Sequence, residues 1–181
     1  MTTPPVVATP EERLAVGIDR RISLRDVLVA CAAGLLGSLA MVPLFLVAWA
    51  LGALSPDAFA ALGTLLGAAP GSTAAFLLGS ALFVGGGATT FALLFVALVE
   101  YLPPERSVGL RGAVFAAVIW LGFLGAFHTG QTGLALFGYA VLTLNAHLAY
   151  GFVLGRVYGR YALDRAPTAA PDAAAPAPAT E

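Results

Sequence analysis

Four long apolar runs separated by short polar or proline-bearing breaks organise the chain between residues 23 and 161. A hydrocarbon core of about 30 Å takes roughly 20 helical residues, so each run is read as a membrane span. The predicted spans cover about 27–54, 73–99, 110–128 and 132–157. Ser23 followed by Asp26 has capping-box spacing and predicts a helix start near Leu24. Pro43, lacking an N–H, predicts a kink inside the first span. Between spans one and two, Ser55-Pro56-Asp57 is a start signal and Pro70-Gly71 a stop, which predicts a short helix over about 56–67. Phe59, Leu62, Leu65 and Leu66 fall on one face of it. It is too short to span and is expected to rest at the membrane interface or to cap the bundle. The fold class is therefore all-α: a polytopic membrane protein, a four-helix transmembrane bundle with one short interfacial helix.

The ends of the chain read differently. Residues 1–22 are polar and charged, and 162–181 are rich in Ala, Pro and Thr, which predicts a disordered tail. The first apolar run starts too late and runs too long for a cleavable signal peptide.

Composition agrees with the pattern. Hydrophobic residues make up 59% of the chain and charged residues 10%, with a mean hydropathy of +0.89. Soluble domains carry about 25% charged residues. Charge adds orientation. All nine basic residues are arginine, and they precede span one, lie between spans two and three, or follow span four. The positive-inside rule then places both termini and the middle loop in the cytoplasm of a cell-membrane protein, which requires an even number of spans. The bilayer is the first expected partner, and a membrane-protein partner or a second copy the next. No nucleic-acid partner is expected. Cys31 has no internal disulfide partner and reads as a small hydrophobe.

Candidate chemistry concentrates in span four. An ionisable residue at mid-membrane is costly and so a functional candidate, and His147 is the one near that depth. Thr143, His147, Gly151, Gly155 and Gly159 share one helical stripe with Tyr150 beside it, whereas Asn145 faces nearly the opposite side. The stripe is read as a packing face with His147 as its polar marker. A polar pathway through Thr89, Thr90, Asn145 and His147 in an oligomeric transporter or channel is the alternative. A haem held by His147 and Met41 is a third. His128 cannot share a metal ion with His147, because it lies roughly 20 Å away in depth at about 1.5 Å per residue. Gly34 in span one and Gly86, in the Gly85-Gly86-Gly87 run of span two, are further candidate contact points. Glu100, Arg106, Arg111, Arg156 and Arg160 form a candidate cluster at the arginine-bearing end, fit for neutralising helix ends or for docking an anionic lipid or a partner. Zinc-ligand spacing, a nucleophile with its base, paired carboxylates and a phosphate-binding loop are missing from the sequence. The chain is read as non-catalytic, without cofactor or metal, and as an accessory or scaffold subunit.

Several segments also carry a resemblance. They are 33–38 (AGLLGS), 93–103 (LLFVALVEYLP), Leu110-Arg111-Gly112 with Trp120, and 145–155 (NAHLAYGFVLG). Together they resemble a family of four-span membrane proteins of unknown function, frequent in halophilic archaea. The pattern is most specific at His147, Tyr150, Gly151 and Gly155. The resemblance implies four helices and a membrane location, and it supplies no reaction.

Overall fold

The computed structural model describes residues 23–163, and among them every regular element is helical. Helix α1 spans Leu24–Ala50. Its capping box is present, with Ser23 Oγ accepting from Asp26 N at 3.2 Å and the Asp26 carboxylate accepting from Ser23 N at 3.1 Å. Pro43 is accommodated within the helix. The short helix α2 spans Asp57–Leu65, and Ser55 Oγ accepts from Asp57 N at 3.1 Å at its entrance. Span two comprises α3 (Thr73–Ala88) and α4 (Thr90–Leu98), interrupted at Thr89. Helix α5 covers Val108–Ala126 and α6 covers Gly133–Tyr158, the latter continuing as a π-helical turn over Gly159–Leu163. That turn carries helical structure past the predicted limit at Tyr161. The predicted tail at 1–22 and most of the one at 162–181 lie outside the described residues.

Four rods of 27, 26, 19 and 31 residues are long and apolar enough to cross a membrane. Helix α6 is central, packing closely on α1 at one side and on α5 at the other, while span two lies against α1. Spans two and three meet through ring pairs such as Phe91–Phe123 and Phe95–Phe115, with centroids 5.6 and 5.5 Å apart. Along α1, small residues turn inward and most large apolar ones outward. On α1 the buried set includes Ala30, Ala33, Gly34, Gly37 and Ser38, whereas Leu28, Leu35, Leu36, Leu39 and Leu46 are exposed. This inverts the soluble pattern, because lipid is as apolar as leucine and gives no drive to bury it; close van der Waals packing holds the helices instead.

Helix α2 departs from the expected face. Phe59 and Leu62 pack into the bundle, but Leu65 and Leu66 are exposed. The helix lies flat on α3, because Gly63 meets the Ala75 backbone and Gly79 meets the Phe59 backbone, so neither position has room for a Cβ. Its inward face is therefore defined by glycine as much as by apolar bulk. Phe59 then plugs the end of the bundle, its ring 5.4 to 5.8 Å from those of Phe83, Phe45 and Phe127.

Two clusters of buried side chains result. One, towards the arginine-bearing end, contains Phe95, Phe115, Tyr150, Leu154 and Tyr158. The other, at the opposite end, contains Ala48, Leu54, Phe127 and Tyr139, with Phe59, Phe83 and Phe123 packed against it.

Candidate functional site

A polar seam runs along the inward face of α6, between the two clusters. Each member of it answers the same requirement: with no water in hydrocarbon, every polar group needs a partner inside the protein. Thr143 Oγ1 donates to the Tyr139 carbonyl at 2.6 Å and accepts from the Trp120 indole Nε1 at 3.0 Å. His147 Nδ1 lies 2.8 Å from the Thr143 carbonyl. A carbonyl only accepts, so Nδ1 carries a proton in this pairing. Tyr139 Oη donates to the Leu124 carbonyl at 2.8 Å, and Tyr150 Oη to the Gly87 carbonyl at 2.7 Å. That last bond crosses to span two one residue before Ala88, where α3 ends and the regular backbone ladder is interrupted. Ser38 Oγ closes the set by donating to the Gly34 carbonyl at 3.0 Å.

His147 stands between two small apolar-walled cavities of about 20 Å³ each. Such a space holds about one water molecule. Met41 and His147 line the same one, which is far too small for a haem macrocycle between them. His128, at the opposite end of the bundle, pairs with the Gln131 carbonyl at 3.0 Å. Among the described residues no group of three His, Cys, Asp or Glu side chains is placed to hold a metal ion.

The structure separates the predicted residues. Thr143, His147 and Tyr150 are buried together. Asn145 is exposed on the outer face of α6, its Nδ2 donating to the Val141 carbonyl at 2.8 Å. Thr89 and Thr90 are exposed as well, and Thr89 Oγ1 donates to the Gly85 carbonyl at 2.7 Å. Within one chain these polar residues do not converge on a pathway.

The small-residue contacts are intramolecular. Gly151 faces the Gly112 backbone of α5, and Gly155 faces Val108 and Gly109. A Cβ on Gly159 would sit 3.1 Å from the Val108 side chain, and Gly34 abuts Gly87 and Ala92 of span two. Gly86 is different: a Cβ there meets only the Phe91 ring, at 4.0 Å. The contact point of the glycine run is Gly87, against Ser38 and Tyr150.

The predicted charge cluster also divides. Arg111 is part-buried. It folds back, donating through Nε to the Pro104 carbonyl at 3.1 Å and through a terminal nitrogen to the Val99 carbonyl at 3.0 Å. It thereby satisfies carbonyls beyond the end of α4 and ties them to the first turn of α5. Arg106, Arg156 and Arg160 instead line an open polar cavity of about 510 Å³, with Glu100 outside its lining.

Three features escaped the residue pattern. Trp120 is the donor that pins Thr143, a role that a part-buried indole N–H in an apolar span does signal, since it must find an acceptor. Gln131 Nε2 donates to the Ala53 carbonyl at 3.2 Å and joins the two loops of the far end. The third is an apolar groove of about 260 Å³ on the outer side, between α1, α2 and α3, lined by Val42, Leu46, Trp49, Phe76, Ser80 and Val84 among others.

Comparison with curated proteins and with solved structures gave no match. Residues 24–169, which take in all four spans, match a family of unknown function, and the chain belongs to that family, DUF6789.

Proposed function

We propose that this protein is a non-catalytic subunit of a membrane assembly, seated in the cell membrane with both termini in the cytoplasm, and that the groove between α1, α2 and α3 receives a transmembrane helix of a partner protein. The groove carries this reading. Its α1 wall uses Ser38, Val42, Leu46 and Trp49, positions one helical turn apart, so it runs along the span for about three turns or roughly 16 Å. A partner helix lying alongside presents its side chains as such a row. The polar groups point the same way, because Thr143, His147 and Tyr150 bond to backbone within the bundle and present no reactive constellation to a substrate. The cytoplasmic assignment follows from the arginines, which mark one end of the bundle.

The test is purification of the full chain from its native membrane in mild detergent. One defined membrane protein is expected at fixed stoichiometry. It should be lost on filling the groove with Ser80→Trp or Val42→Trp and retained with His147→Ala, the melting temperature of each groove variant staying near that of the parent. A monodisperse chain carrying lipid but no protein, or a partner retained equally by both groove variants, overturns the proposal.

A further inference from the structure

We infer that Arg106, Arg156 and Arg160 form a cradle for the phosphate of an anionic lipid headgroup. The three arginines line one cavity from two places far apart in sequence, the loop before α5 and the end of α6. At about 510 Å³ the cavity is of the size that binds small ligands. Among the described residues none of the three is paired with a carboxylate, and Glu100 and Glu105 of the preceding loop are not part of the lining. Three like charges around one space repel one another, and an anion between them relieves that repulsion.

The cradle is held in place. Glycine contacts draw α5 and α6 together at this end: Gly155 abuts Val108, and the stem of Arg156 lies over Gly109, where a Cβ would meet Cγ at 2.7 Å and Cδ at 2.9 Å. A larger residue at Gly109 would displace the Arg156 stem. The start of α5 adds to the field, since Ser107 makes no side-chain cap bond there and Ser107, Val108 and Gly109 border the space. Arginine's planar fork matches phosphate in two-point geometry.

Position favours a lipid as the source of the phosphate. Basic pockets between span ends are suited to anionic headgroups. Tyr161, 52% exposed with the Arg160 guanidinium 5.9 Å from its ring centre, is an aromatic residue of the type that sits at headgroup level. Phe152, 43% exposed, packs on Gly109 of the lining and offers an apolar surface along which an acyl chain can continue from the headgroup.

The experiment uses the full chain in a neutral detergent, with added phosphatidylglycerol, phosphatidylcholine or inorganic phosphate, and reads retained ligand by native mass spectrometry. Phosphatidylglycerol should be retained over phosphatidylcholine. Binding should weaken about fivefold for each arginine lost, hence about twenty-five-fold in Arg156→Gln/Arg160→Gln. Arg106→Gln, in a loop, reports the same site if the double variant does not fold, and Arg156→Lys should fall between parent and Arg156→Gln. Arg13→Gln, which also removes one positive charge, should change binding less than twofold. Equal retention of the two lipids, or equal loss in Arg13→Gln and Arg106→Gln, overturns the cradle. Displacement of the lipid by inorganic phosphate at equal concentration overturns the lipid as its ligand in favour of a soluble anion.

Discussion

The two halves of the bundle solve the same packing problem in opposite ways. Towards the arginine-bearing end, α5 and α6 touch backbone to backbone, with Gly112 against Gly151 and Gly155 against Val108. At the opposite end, where only the short α2 sits backbone to backbone on α3, Phe45, Phe59, Phe83, Phe123 and Phe127 fill the space between the spans with tilted and edge-on rings. Neither half gains from hiding apolar surface, since the surroundings are already apolar. The glycine half has no spare volume and should fail when atoms are added, whereas the phenylalanine half should fail when atoms are removed.

The largest effect is expected from Gly112→Leu. Its Cβ would fall on the Gly151 carbonyl, and backbone has no rotamer to yield, so about 3 kcal/mol or more should be lost. In detergent the variant should show no cooperative melt. A cooperative melt near that of the parent would show that α5 and α6 can separate without harm.

Next comes Phe83→Ala, which removes a ring lying 5.4 to 6.4 Å from four others. Loss of a large buried side chain costs about 3 kcal/mol in a tightly packed site, and lipid or neighbouring rings can refill part of this space. The chain should stay folded with a clearly lowered melting temperature. If Phe83→Ala proved harmless, the ring cluster would be filling space rather than holding helices together.

The smallest effect sharpens the boundary between the halves. Gly86→Ala should change stability by less than about 0.5 kcal/mol, as Gly86 meets almost nothing, whereas Gly87→Ala drives a methyl into Ser38 Oγ and should be clearly destabilising. Equal melting temperatures for the two would contradict the placement of the contact at Gly87.

How much of this could be read in advance varied by residue. The capping box of Ser23 and Asp26 is local, and local chemistry survives into the fold. The stripe of His147, Gly151 and Gly155 was legible because glycine and a polar residue stand out against an apolar run. The outward direction of Asn145 followed from helical projection, yet its satisfaction by the Val141 carbonyl did not. Gly86 and Gly87 look alike in a run of three glycines until α1 supplies Ser38 and α6 supplies Tyr150 against Gly87 alone. Leu65 and Leu66 misled for a related reason: in a membrane protein the outward face is apolar too, so apolar periodicity does not report burial.

Four spans of helix were dictated by composition and order alone, because a bilayer forces any long apolar segment to satisfy its backbone internally. Which faces meet was settled by fit between segments distant in the chain. Trp120 reaching Thr143, Tyr150 bonding Gly87, Arg111 turning back to Val99 and three arginines gathering round one cavity all depend on where another helix stands, and in lipid that is determined by close-range contact rather than by hydrophobicity.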